Sequence, residues 1–225
     1  MTEVAYQPVH LELPPEQPGP FAPCILLLDA SSSMSSCIHE VNNGLDDLQR
    51  TIEEDELARN RADIALIEIK SQASCIVPPT LGRDFIAPTM NASGTTAIGA
   101  GLTLGLRTLR DRRFEYRANG CRAFTAMMFL ITDGKPTDRW ESAAAEVHRL
   151  AGVGRLEFFG IGTSSADMAT LAQISPPQRP PMTLRDGCFR ELFRWISDSL
   201  SDVSNSQPEG GVRLGPADSW GYMST

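Results

Sequence analysis

The sequence predicts a doubly wound α/β fold with a mostly parallel central sheet and helices on both faces. Three observations carry this. Short, wholly apolar runs alternate with longer amphipathic stretches along the chain, as strands and crossover helices must. The residues just past several apolar runs are rich in carboxylates and hydroxyls, where open α/β sheets place their working groups. The length, 225 residues, suits one such domain with extensions at its ends.

The elements follow in order. Cys24 to Leu28 is apolar throughout and stops at Asp29, as a strand buried on both faces should. Ile38, Val41, Leu45, Leu48 and Ile52 recur at spacings of three and four, which makes one apolar stripe on a helix. Ile64 to Ile69 is a second strand, broken only by Glu68, which reads as a position near solvent. Ser74 to Val77 reads as a short partner strand stopped by Pro78 and Pro79. Ile98, Leu102, Leu106 and Leu109 share a helix face thinned by Gly101 and Gly105, small residues that permit close approach to a sheet. Ala126 to Ile131 is a central strand running into Thr132-Asp133-Gly134. Asp138 and Glu141 are spaced as a capping box for a helix through Trp140, Ala144, Val147 and Ala151. Leu156 to Ile161 is a further strand, and Met168, Leu171 and Ala172 mark a short helix. Phe189, Leu192, Phe193, Ile196 and Leu200 lie on one face of a closing helix.

The organisation expected is an extended, proline-rich arm over 1–22, one domain over 23–202 and a Ser-, Gly- and Pro-rich tail over 203–225. Trp220, Tyr222 and Met223 leave two alternatives open for the tail, ordered packing or docking on one side and plain disorder on the other.

Composition narrows the function. Hydrophobic residues make up 41% and charged residues 21%, the balance of an ordinary globular protein. Net charge is −8, and the chain reads as having no lysine- or arginine-rich block, so nucleic acid would be repelled at long range. The N-terminus has neither a basic nor an apolar signal region, and no apolar stretch approaches a membrane span, so a cytoplasmic protein without membrane attachment is expected. Cys24, Cys37, Cys75, Cys121 and Cys188 are scattered and odd in number, and read as reduced, mostly buried thiols. His10, His39 and His148 lack partner motifs and read as surface or structural.

Three segments past strand ends carry oxygen donors: Asp29-Ala30-Ser31-Ser32-Ser33-Met34, Ser93-Gly94-Thr95-Thr96 and Thr132-Asp133-Gly134. Together they offer two carboxylates, several hydroxyls and no nearby histidine or cysteine. Such a hard, oxygen-only set suits magnesium, which keeps several waters and needs few carboxylates. Manganese is compatible, whereas zinc prefers nitrogen or sulfur. Two carboxylates leave the ion attractive to an outside carboxylate. Asp29 or Ser31 alone would read as a helix cap, but three such segments in this order do not.

D-x-S-x-S after an apolar strand, a G-T-T turn and a later T-D-G together resemble the metal-ion-dependent adhesion site of von Willebrand factor A domains, over roughly Cys24 to Leu200. The resemblance implies that Asp29, Ser31, Ser33, Thr96 and Asp133 hold the metal. The serines and the threonine would ligate directly, one or both aspartates through water, and the last position would be left for a ligand's acidic side chain. Two positions depart from the family pattern, Ser32 and Thr95 each standing where glycine is usual. Neither removes a ligand. The V-N-x-G-L segment at Val41 to Leu45, the A-S-G-x-T-A-x-G turn, T-D-G-x-P-T-D at Thr132 to Asp138 and the late tryptophan resemble small stand-alone bacterial members of the family, including those associated with tellurium resistance. That likeness implies a metal-dependent adapter or assembly module, linked to stress response or to a protein kinase or phosphatase, with a protein partner supplying an acidic side chain. An enzyme is the competing class. A dehalogenase-type phosphoryl transferase would need a second acid at Ser31, and there is no G-x-S-x-G elbow, Walker A motif or dinucleotide fingerprint, so no catalytic residues are expected. A vestigial structural subunit is the third alternative.

Overall fold

A computed structural model describes residues 20–205 and 215–223. Seven strands form one sheet: β1 (Ala22–Asp29), β2 (Ala62–Ile69), β3 (Ala73–Leu81), β4 (Ala126–Thr132), β5 (Leu156–Gly162), β6 (Met182–Leu184) and β7 (Gly221–Met223). Their order is β3-β2-β1-β4-β5-β6-β7, with β3 and β7 antiparallel to their neighbours and the rest parallel. Six α-helices accompany them: α1 (Ile38–Glu54), α2 (Glu56–Arg61), α3 (Ile98–Ala118), α4 (Glu141–Gly152), α5 (Met168–Ile174) and α6 (Phe189–Asn205).

The apolar strands are buried on both faces because helices cover both. In β1, Cys24, Leu26 and Leu28 point into the layer with α1, α2 and α6, while Ile25 and Leu27 point into the layer with α3, α4 and α5. The stripe on α1 is fully buried at Val41, Leu45, Leu48 and Ile52. Gly101 lets α3 lie on the sheet: a Cβ there would stand 2.5 Å from the Ile69 side chain. Among the described residues no helix is long and apolar enough to cross a membrane.

Four expectations change. The strand expected over Ser74 to Val77 runs on through Pro78 and Pro79 to Leu81. Its position at the sheet edge frees the missing amides from the ladder, and its pairing with β2 shifts register between Ile64 and Ile67. Asp138 does not cap α4, whose N-cap is Trp140 without a side-chain bond. It caps α3 instead, accepting the amides of Gly99 (2.9 Å) and Ala100 (2.7 Å). The domain also begins before residue 23, since Phe21 pairs with Ala123 and β1 opens at Ala22. The tail boundary at 203 falls within α6, and Gly221–Met223 adds β7 to the sheet. Trp220 is fully buried and packs on Trp195 at 5.1 Å between ring centroids, so this part of the tail belongs to the core. Most of the expected arm, 1–19, lies outside the described residues.

Candidate metal centre

The strand order reverses beside β1: β2 follows β1 on one side and β4 lies on the other, so a crevice opens at the carboxyl ends of β1 and β4. Asp29 ends β1 and Asp133 follows β4 directly. Leu28 pairs with Ile131, which brings Asp29 level with Thr132. The Thr132 hydroxyl donates to Asp29 Oδ2 at 2.6 Å, and the Ser31 amide donates to Oδ1 at 2.8 Å. Asp29 is thereby held in one orientation with no exposure to solvent.

The chain then turns through a short 3-10 helix, Ser32–Ser36. Ser31 Oγ lies 2.9 Å from Ser33 Oγ, and the Ser33 hydroxyl donates to Asp133 Oδ1 at 2.7 Å. Hydrogen bonds thus link four of the five expected residues. Thr96, the fifth, is buried on the loop before α3, with its hydroxyl over Gly134: a Cβ on Gly134 would stand 3.0 Å from Thr96 Oγ1. Backbone bonds fasten the loops together. Ser32 N donates to Gly94 O at 3.1 Å, Ser93 N to Ala30 O at 2.8 Å, and Thr137 N to Thr96 O at 2.9 Å. Asp138, on the loop after β4, adds a fourth tie by accepting the first amides of α3.

The electrostatics are unbalanced. Burial pushes the Asp133 carboxyl above the usual carboxylate range, and nearby Asp29 adds to the rise, against the Ser33 hydrogen bond. Among the described residues no lysine, arginine or histidine forms an ion pair with either aspartate. Lys135 is 80% exposed in its side chain and lies 3.7 Å from Asp167, a solvated loop charge. The expectation of no cysteine near the donor segments fails at Cys37, whose thiol is pushed up to about 11 by burial, with Asp133, Glu40 and Asp29 contributing. Among the described residues no group of three or more His, Cys, Asp or Glu side chains could gather around an ion. A cation here would draw on hydroxyls and water besides the two aspartates. A cavity of about 190 Å³ borders Asp133, walled by Cys37, Glu40, Thr163, Ser164 and Arg185.

Two contributions were not legible beforehand. Thr132 was visible as a donor of the third segment, but its part in orienting Asp29 was not. Asp138 acts on a helix distant in sequence, which local spacing misassigns. Glu68 pairs with Lys70 at 2.9 Å and His148 Nε2 lies 3.1 Å from Ile174 O, while the five cysteines are free thiols of which only Cys24 is buried, against the expectation that most would be.

Solved structures with the same fold share little sequence with this chain. The pilus adhesin SpaC from Lactobacillus rhamnosus GG superposes with a TM-score of 0.61 at 16% identity, covering 84% of this chain and 30% of that one. A von Willebrand factor type A protein from Catenulispora acidiphila gives 0.59 at 16%, covering 81% and 43%. Proximal thread matrix protein 1 from the mussel byssus, solved with a zinc-occupied MIDAS motif, gives 0.55 at 19%, covering 82% and 49%. The chain thus spans about half or less of the length of these structures. No curated protein matches it. The sequence model of the von Willebrand factor type A domain, by contrast, matches residues 24–193, which takes in every strand from β1 to β6 and all three loops of the site; the chain belongs to that family.

Proposed function

We propose that this domain is a metal-dependent protein-binding module in which Asp29, Ser31, Ser33, Thr96 and Asp133 hold one divalent cation as a metal-ion-dependent adhesion site. The observation that carries the reading is the pair of buried carboxylates, Asp29 and Asp133, linked through the Ser31 amide and the Ser31 and Ser33 hydroxyls and ion-paired with no cationic side chain among the described residues. Buried like charges of this kind are costly unless a cation compensates them. The donor set fits: the five side chains are all oxygen donors, so magnesium is favoured and manganese is the second choice. The mussel byssus protein holds zinc at its own site of this kind, which supports a divalent ion in this fold.

When bound, the ion would supply an exchangeable coordination position for a partner's carboxylate. The protein's own groups do the rest. Thr132 and the Ser31 amide fix Asp29, Ser33 orients Asp133, and the loop ties keep Thr96 in register with both. Arg185, on the wall of the cavity beside Asp133, offers a second contact to an acidic side chain. A protein partner with an exposed aspartate or glutamate is the reading these groups support, a kinase or phosphatase being candidates. Catalysis is not part of it, since neither His39, bonded to Asn43, nor His148 pairs with a nucleophile. The motif at Val41 to Leu45 and Trp220 both serve the packing against α6, and they support placing the chain among small bacterial members of the tellurium-resistance-associated kind.

Isothermal titration calorimetry with magnesium and manganese tests the site. Wild type should bind about one ion, and Asp133→Ala and Thr96→Ala should lose it while remaining folded, since both residues sit on loops above the core. A pull-down from the source cell with magnesium or chelator tests the partner. Unchanged ion affinity in both variants, or a partner retained equally in chelator, would defeat the proposal.

A further inference from the structure

At the amino ends of β4 and β5, away from the loops that carry Asp29 and Asp133, lies a groove of about 910 Å³ between α3 and α4. Six arginines line it: Arg107, Arg110, Arg113 and Arg117 from α3, with Arg149 and Arg155 from α4 and the turn after it. The expectation of a chain without an arginine-rich block therefore fails on α3, which carries five arginines between 107 and 117. Their spacing of three and four turns four of them to one side of the helix.

These charges are incompletely matched. Arg149 is held by Glu146 through two bonds of 2.7 Å, and Arg110 and Arg107 both meet Asp111, at 3.0 and 3.9 Å. Among the described residues no carboxylate forms an ion pair with Arg113, Arg117 or Arg155. Arg113 donates instead to the Arg155 carbonyl. Burial, and then the like charges of Arg155 and Arg117, hold the Arg113 guanidinium below its ordinary range. A protein of net charge −8 thus gathers unpaired cations in one concave place.

We propose that this groove binds a carboxylate-bearing, partly apolar peptide segment of a partner protein, at a surface separate from the metal centre. Three features select that occupant. Arg107 to Arg117 spans about 15 Å along α3, so a single small anion would reach only some of the arginines, whereas an extended chain of several residues reaches them all. Apolar groups are interleaved with the charges, including Leu106, Leu150 and Phe114, which is 74% exposed. A ligand bearing both glutamates or aspartates and apolar side chains satisfies both. Guanidinium groups also match carboxylates in a two-bond fork that lysines could not make. Nucleic acid is disfavoured because the domain as a whole is acidic and would repel its backbone at long range.

The test uses the full chain and a fluorescein-labelled peptide of about eight residues, alternating glutamate with leucine and phenylalanine, long enough when extended to span the groove. Fluorescence anisotropy should show binding that weakens with added salt and is indifferent to chelator. The same peptide with glutamine for glutamate should bind at least tenfold more weakly. Arg117→Glu with Arg155→Glu, both exposed positions, should weaken the glutamate peptide at least tenfold without lowering the thermal midpoint. Arg113→Gln, which removes a guanidinium from the groove wall, should also weaken the glutamate peptide. Equal binding of the glutamine peptide, unchanged affinity in the Arg117 and Arg155 variant, or tighter binding of a single-stranded oligonucleotide than of the glutamate peptide would each overturn the proposal.

Discussion

Replacing Trp220 by alanine tests whether the last described segment is part of the core or only rests on it. The indole is fully buried, tilted against Trp195, and sits in the layer with α1 and α6. Emptying a site of that size costs about 3–5 kcal/mol when the surroundings relax only partly. At roughly 2–4 °C per kcal/mol for a domain of this length, the thermal midpoint should fall by roughly 6–20 °C. Trp220→Phe should cost less than half as much. It keeps most of the apolar volume and removes an indole N–H that has no partner among the described residues. Tyr222→Ala, at a side chain on a residue 50% exposed, serves as the control and should stay within about 0.5 kcal/mol. Trp220 also reaches the candidate site, because its carbonyl accepts the Arg185 amide at 2.9 Å and Arg185 walls the cavity beside Asp133. Differential scanning calorimetry of the three variants decides the matter. A Trp220→Ala midpoint within 2 °C of wild type, at a slope of about 2–4 °C per kcal/mol, would mean that β7 and Trp220 add nothing to the core, and the argument fails.

Three further outcomes follow from single contacts. Gly44→Ala should destabilise by about 1–3 kcal/mol in urea titration, because the added Cβ would stand 2.2 Å from the Phe193 ring where α1 meets α6. Asp138→Ala should cost about 1 kcal/mol by leaving the first amides of α3 uncapped, and calorimetry should also show weaker ion binding, since Thr96 stands just before that helix. Asp55 caps α2, and although burial opposes it, the Ala58 amide, the Ser201 hydroxyl and the Leu57 amide hold its carboxyl below the usual range. A depressed carboxylate stabilises the fold above its unfolded pKa of about 4, and that contribution is lost as pH falls through the folded value. The unfolding free energy of Asp55→Asn, from urea titrations followed by circular dichroism, should therefore fall less steeply than that of wild type as pH drops below about pH 4.

The elements with one strong period were legible from sequence, and so was the place to look for a site. Cys24 to Leu28 and Ala126 to Ile131 are apolar throughout because helices cover both faces, and the α1 stripe repeats because one side of it meets the sheet. Asp29, Ser33 and Asp133 were visible as donors past strand ends, since chain direction alone fixes which end of a parallel strand a following residue occupies. What pairing decides was not visible. Edge position decided that β3 could run through Pro78 and Pro79, and β6 and β7 are too short to carry a pattern of their own. Asp138 reads locally as the cap of the helix that follows it, yet its oxygens meet amides nearly forty residues earlier in the chain. The arginines of α3 behave likewise. Five of them stand against only Asp111 and Glu115 in the sequence, an excess that was there to be read, but only the packing of α3 beside α4 gathers them into one groove with Arg149 and Arg155. Local periodicity is set by which face of an element is dry, and a sequence records that directly. The joining of charges from separate elements is set by how those elements dock, which depends on the packed core as a whole.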